Sequence, residues 1–259
     1  MIRCLKDLVA PLSVQEFREH FSRKDRLFVK TAKPKRAVPL LPWTEINHLI
    51  DSGSMPSSLI SVVLKGTPFP EFMYRHSENQ ELRSDALHRL AAQGASILLD
   101  NIDLYVPAIA TLADSIERFI AHRVWVNCYI TFGKTSAFKP HYDTHDVLVL
   151  QIYGAKRWRG YGLPIEHPVS NSSPKPDIAV GEPMWEQQLE PGDVLYVPRG
   201  EAHDAVGTTL PSVHLTFGIK ASTGVDLFNW VARTAQADPV FRMDISRAGG
   251  DELLHKHEM

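Results

Sequence analysis

Cysteine is almost missing from this sequence: Cys4 and Cys128 are the only two among 259 residues, too few and too far apart to read as a disulfide framework. They read as reduced thiols. No apolar run approaches the roughly 18 residues of a spanning helix, and the start, MIRCLKDLVAPLSVQEF, lacks an apolar stretch followed by a small-residue cleavage site. The expectation is a cytoplasmic chain without a membrane contact. Neither sign of charge dominates, and a formal net charge of -2 leaves no global field to draw the molecule onto nucleic acid. Gly-rich phosphate loops, G-x-S-x-G elbows and C-x-x-C pairs are missing too, which argues against nucleotide hydrolysis, serine hydrolases and zinc ribbons.

What is present is 44% hydrophobic residues, enough for a full core in one large domain or in one domain with a helical appendage. Ser13-Val14-Gln15-Glu16 is a capping box, and Phe17 and Phe21 follow at helical spacing. Leu27 to Val29 suits a short strand, Trp43 to Ile50 a helix, and Ser61 to Lys65 an extended segment. Asn79 to Gln93 reads as a helix stopped by Gly94, Ser96 to Leu99 as a buried strand, and Ala108 to Ala121 as an amphipathic helix through Ile109, Leu112, Ile116 and Ile120. From Val124 to Ile219 short strands alternate with Gly- and Pro-bearing turns, the texture of a β-barrel or sandwich. Val225 to Thr234 and Pro239 to Ile245 return to helix. The expected division is an α/β segment over 1–122, a β core over 123–220 and a short helical tail over 221–259.

Within the β region, His141 and Asp143 are two residues apart on or beside a strand, so their side chains can share a face. About sixty residues later, Glu190-Pro191-Gly192-Asp193 turns into Val194 to Val197, and Pro198-Arg199-Gly200 turns the chain again before His203. Two imidazoles and one carboxylate on one face of an octahedron leave three adjacent positions open, the pattern of non-haem iron(II) oxygenases. An H-x-D among twelve histidines is equally compatible with a structural role. Lys156, past a Gly154-centred turn and hence expected on the next strand, could face into the barrel, where a buried ammonium is costly unless it meets an anion. Asn127 and Tyr129 alternate on the preceding strand and offer an amide and a phenol to the same face. A surface lysine and a core-edge tyrosine is the competing reading.

Asn127-Cys128-Tyr129-Ile130-Thr131, Lys139-Pro140-His141-Tyr142-Asp143, Gln151 to Arg159, Glu190 to Gly200 and His203 together resemble the JmjC-type ribosomal-protein hydroxylases and their cupin relatives. The likeness extends more faintly to Ser13 to Phe17, Pro42-Trp43 and Gly94 to Leu98. It implies a mainly β fold with flanking helices, a double-stranded β-helix (cupin/JmjC jelly-roll) with an N-terminal α/β segment and short C-terminal helices. It implies Fe(II) on His141, Asp143 and His203, 2-oxoglutarate anchored by Lys156 and Tyr129 with Asn127 and Thr216 nearby, and O2 as oxidant. The expected activity is hydroxylation of a side-chain carbon in a protein or peptide, ribosomal proteins being the family's substrates. Two departures stand out: the chain beyond Lys220 is much shorter than in characterised members, and Gly218 stands where relatives often carry Ser.

His145 is a candidate substrate contact or spare ligand, His214 a hydrogen-bonding neighbour of the site, Trp158 a pocket wall, and Asp146 a partner for backbone where the strand begins. His255 and His257 read as a solvated tail. The basic stretch from Ser22 to Arg36 is either a solvated face or a docking patch for an acidic partner; it lacks the interleaved aromatics of a nucleic-acid surface, so no direct nucleic-acid binding is expected. Three alternatives remain: the same chemistry on a free amino acid or natural-product peptide, a cupin of the H-x-H-plus-Glu kind, and a non-catalytic JmjC-like binding protein. Asp143 disfavours the second, and the intact ligand and lysine set disfavours the third. Self-association as a homodimer stays open.

Overall fold

The computed structural model describes residues 2–64, 66–134, 136–169 and 181–245. The chain forms two compact units, Met1–Ala221 and Ser222–Met259. In the first, α1 (Leu5–Val9) and α2 (Val14–Arg23) precede β1 (Leu27–Val29), α3 (Trp43–Asp51), β2 (Ile60–Leu64), β3 (Thr67–Pro68), α4 (Ser84–Ala92), β4 (Ser96–Leu99) and α5 (Pro107–Ile120). Five more strands follow: β5 (Arg123–Thr131), β6 (Asp146–Gly160), β7 (Trp185–Leu189), β8 (Val194–Val197) and β9 (His203–Lys220). The second unit carries α6 (Gly224–Ala235), whose Thr223 and Asp226 form a capping box, and a single 3-10 turn at Pro239–Arg242 where the sequence suggested a further helix. Lys65, His255 and His257 lie outside the described residues.

Local chemistry explains the helices. Both halves of the Ser13/Glu16 capping box are made, and Lys24 in the left-handed region ends α2. Pro107 opens α5 and its stripe of Ile109, Leu112, Ala113 and Ile116 is buried. α4 begins five residues later than its periodicity suggests. Its would-be first turn is instead held extended by a bridge between Arg75 and Leu82 and by hydrogen bonds from His76 N–H to Glu81 O and Arg83 N–H to Tyr74 O. α1 is a helix that the sequence reading missed; Cys4 at its start makes no side-chain cap, so no capping signal marks it.

The strands pair in the order β1-β8-β6-β9-β5-β4-β2-β3, all antiparallel, with β7 also on β6. β6 corrects the expectation of a turn before Lys156. It is one strand of 15 residues that bends where its register against β9 shifts, between Gln151 and Lys156. Gly154 sits in that bend at φ +59°, where a Cβ would overlap the carbonyls of Thr209 and Pro211. Before the bend β6 pairs with β8 through Val147 to Leu150; after it, with β7 through Lys156 to Gly160. One strand thus serves two neighbours.

Period-2 alternation sorts the side chains into two environments. Leu148, Leu150, Tyr196, Phe217 and the helices' apolar faces join the large core, whereas Val147, Val149, Leu195, Val197 and Trp158 form a small second cluster. Four cations of the basic stretch from Ser22 to Arg36 reach partners elsewhere in the fold, while Arg23, Lys33 and Lys35 are exposed. Lys24 pairs with buried Asp146 at 2.6 Å, Arg26 with Glu201 at 2.8 Å, and Lys30 with Glu190 and Asp193 at 2.9 and 3.1 Å. Arg36 donates to the carbonyls of Asp7, Leu8, Ala10 and Gly192. Cys4 and Cys128 are free thiols, and among the described residues no helix is long and apolar enough to cross a membrane.

Candidate metal centre

His141 and His203 are backbone partners. His141 N–H donates to His203 O at 3.1 Å and His203 N–H to His141 O at 2.8 Å, an antiparallel bridge outside the named strands. Asp143 joins them through its carbonyl, which accepts from Gly200 N–H at 2.9 Å in the turn before β9. One ligand atom from each of the three residues lies within 4.8 Å of the others, with His203 Nε2 and Asp143 Oδ2 3.7 Å apart. That spread is one a single divalent cation can draw together.

Each ring is oriented by the chain just before it. His141 Nδ1 lies 2.9 Å from Lys139 O, and His203 Nδ1 lies 2.9 Å from Glu201 O. A carbonyl only accepts, so both rings carry hydrogen on Nδ1 and leave the Nε2 lone pair for an ion. Burial holds the His203 imidazole below its ordinary pKa, with Asp143 opposing, so it stays neutral and able to ligate at neutral pH.

The pocket beside this trio gathers the remaining expected residues. Asn127 and Tyr129 reach it from β5, Lys156 and Trp158 from β6, and His214 and Thr216 from β9, with His145 beside Asp143. Lys156 is 2% exposed, and its Nζ donates to Thr131 Oγ1 at 3.0 Å and meets His214 Nδ1 at 3.1 Å. Burial lowers its pKa to about 7. His214 lies flat on Tyr129, ring centroids 4.8 Å apart, and edge-on to Trp158 at 5.5 Å. Burial and the neighbouring Lys156 push His214 well below its usual value. Asn127 accepts from Asn101 N–H at 3.0 Å and hydrogen-bonds the Tyr129 phenol, which burial pushes upward.

The donor set fits an oxygen-rich anion. Trp158 Nε1 and Thr216 Oγ1 are buried without a hydrogen-bond partner, although both residues line the pocket. Buried donors are rarely left so unless a ligand or water meets them. His145 is not grouped with the three ligands; it packs on Trp125 at 4.7 Å, and burial lowers its pKa. Gly218, paired with Trp125 across the β5–β9 ladder, has no room for the serine hydroxyl of relatives, because a Cβ there would overlap the Trp125 ring.

Trp125, Thr131, Phe138 and Asp204 were missed from the sequence. Trp125 and Thr131 share the alternation of Asn127 and Tyr129, so that signal was available. Phe138, edge-on to His141 at 5.6 Å, comes from a loop with no period to read. Asp204 follows a ligand and is tied up by Arg159 at 2.8 and 2.5 Å.

Residues 99–227 match the family model of the JmjC domain. Among curated proteins, the chain is 28% identical over 229 residues to the bifunctional lysine-specific demethylase and histidyl-hydroxylase NO66 of Drosophila mojavensis, covering 84% of this chain and 25% of that protein. It is 27% identical over 254 residues to the Culex quinquefasciatus protein of the same name, covering 95% of this chain and 38% of that one. The chain therefore spans well under half the length of these relatives. Among solved structures, E. coli ycfD matches with a TM-score of 0.62 at 18% identity, over 96% of this chain and 63% of that one. The E. coli ribosomal oxygenase YcfD in complex with cobalt and 2-oxoglutarate matches with a TM-score of 0.59 at 18% identity, over the same shares. These likenesses establish the fold as the JmjC/cupin jelly-roll with flanking helices.

Proposed function

With residues 99–227 placing the chain in the JmjC domain family, we propose that it is an iron(II)- and 2-oxoglutarate-dependent oxygenase that hydroxylates a side-chain carbon of a protein or peptide. The observation that carries this is the convergence of His141, Asp143 and His203 in the lining of a pocket that also holds the buried side chain of Lys156. The three ligands would hold Fe(II), while Lys156, Tyr129, Asn127 and Thr216 would take 2-oxoglutarate. When bound, the iron supplies the redox centre at which O2 and 2-oxoglutarate yield succinate, carbon dioxide and one oxygen atom for a substrate C–H bond.

The chain's own residues supply binding, orientation and dryness. The Nδ1–H bonds to Lys139 O and Glu201 O hold both imidazole rings with Nε2 aimed at the ion site. Lys156 attracts the distal carboxylate, with Thr216 and Trp158 as unpartnered donors nearby. Trp158, Val147 and Val149 of the small apolar cluster shield the inner wall from water. Trp125 and His145, packed on each other, also line the pocket and would meet a substrate side chain.

The names of the relatives, histidyl-hydroxylase and ribosomal oxygenase, support a protein substrate, possible ribosomal origin included, and a cytoplasmic setting. The exposed Leu227, Phe228 and Trp230 of α6 support self-association as a homodimer. The test is to load the protein with Fe(II) and 2-oxoglutarate without oxygen, pulse with O2 in the presence of proteome peptides, and search for substrates heavier by one oxygen atom. Succinate formed in step with that product supports the reading; neither product nor succinate from any acceptor class removes it.

A further inference from the structure

Lysine's ammonium has three hydrogens, and in the described structure two are spoken for: one by Thr131 Oγ1 at 3.0 Å and one by His214 Nδ1 at 3.1 Å. Neither acceptor is free to drift. Ser96 Oγ donates to Thr131 Oγ1 at 3.1 Å, which ties β4 and β5 to the lysine on β6. His214, on β9, is clamped between the face of Tyr129 and the edge of Trp158. The result is a buried polar chain, Ser96–Thr131–Lys156–His214, that crosses four strands and leaves one N–H direction for the pocket.

Every group around this ammonium is uncharged. Cys128, behind it on the core face of β5, is pushed up to about 12 by burial and stays a thiol. The Tyr129 phenol is pushed up as well and stays protonated. His214 is held neutral by burial and by the lysine itself. Asp143 and His203 line the same pocket but are not hydrogen-bond partners of Lys156 among the described residues. A fully buried ammonium with two neutral acceptors and no carboxylate is a charge awaiting a partner.

Resting on the oxygenase reading above, we propose that Thr131 and His214 are positioning residues that aim the third N–H of Lys156 at a ligand carboxylate, and that a dicarboxylate enters this pocket together with one proton. Above neutrality, where the empty site holds the neutral amine, the proton goes to Nζ and restores the ammonium as the carboxylate arrives, and it comes from solvent because the dicarboxylate is already fully ionised. The low pKa of the empty site, about 7, supports this. An ion pair with the ligand raises that value, so the bound state holds more hydrogen than the free state wherever the free amine is neutral. The sign follows: affinity is flat below neutrality and falls as pH rises above it.

The test uses the full chain loaded with Mn(II), titrated with 2-oxoglutarate by calorimetry in two buffers of different ionisation heat. Proton uptake per ligand should be near zero at about pH 6 and approach one at about pH 8.5, with affinity falling close to tenfold per pH unit on the alkaline side. Lys156→Arg, permanently charged, should bind without uptake and without the alkaline limb. His214→Phe keeps the stacking but removes the acceptor, so the limb should move to lower pH. No uptake at either pH in the wild type, or a limb that survives in Lys156→Arg, overturns the inference while keeping the co-substrate. An unmoved limb in His214→Phe overturns the role of the histidine. Absence of 2-oxoglutarate binding at every pH, with Mn(II) still bound, removes the co-substrate assignment itself.

Discussion

The two faces of β5 differ in what they ask of their side chains. Val124, Val126, Cys128 and Ile130 point into the large core and are buried, while Trp125, Asn127, Tyr129 and Thr131 alternate with them on the pocket side. The same contrast runs along β6, where Leu148 and Leu150 belong to the core, and Val147, Lys156 and Trp158 to the pocket. On the first face the side chains are mostly apolar and closely surrounded, and its buried Asp146 is met by Lys24 and the Tyr196 hydroxyl. On the second, buried donors stand without partners and an ammonium stands without an anion. The difference teaches that stability and chemistry are carried by alternate residues of the same strands, so each can be perturbed with little effect on the other.

Four experiments break or sharpen that division. The largest effect is expected on the pocket side: His141→Ala or Asp143→Ala should abolish substrate-dependent succinate formation and weaken divalent-metal binding by at least 100-fold, seen by calorimetry, with a melting temperature close to wild type. Next, Phe217→Ala on the core face should cost about 3–5 kcal/mol in urea unfolding and leave metal affinity unchanged wherever the chain is folded.

Third comes Lys156→Met, which should lose 2-oxoglutarate binding yet raise the melting temperature of the ligand-free chain at neutral pH, since a buried uncompensated charge is gone. The sign with pH can be worked out. The folded-state pKa of Lys156 is about 7 against 10.5 unperturbed, so between those values the unfolded chain binds more protons and wild-type stability rises with pH. The advantage of the methionine variant should therefore shrink as pH climbs through that window, and a constant advantage would contradict the assignment. Smallest is Lys30→Ala, whose side chain is 56% exposed; its ion pairs with Glu190 and Asp193 should be worth no more than about 1 kcal/mol and fade with salt in denaturant titrations.

Much of this architecture was legible because it is written in periods. The capping box at Ser13, the stripe of α5 and the alternation of Asn127 with Tyr129 all correspond to observed elements. Strand-end placement left His141, Asp143 and His203 open between a structural role and ligation, the family resemblance tipped the expectation to ligation, and the structure brings them together. What escaped was non-periodic or long-range. Arg75–Leu82 pairing overrides the helical pattern at Asn79 to Arg83, because a tertiary bridge outweighs a turn's worth of propensity. Gly154 looked like a turn between strands, whereas the β9 backbone opposite it turns the same glycine into a bend within one. The cations of Ser22 to Arg36 could not be assigned partners, since Asp146, Asp193 and Glu201 lie more than a hundred residues away along the chain.

The backbone hydrogen bonds that join His141 to His203 bear on how a cation would be selected. Because folding itself fixes the separation of the two backbones, gathering the donors adds little entropic cost when an ion arrives, and replacing one ion by another need not remodel the frame. Discrimination between cations then falls to donor type and preferred coordination number. A site of this build should accept several first-row divalent ions with affinity rising along the series from Mn(II) to Cu(II), and availability in the surroundings would decide which one resides there.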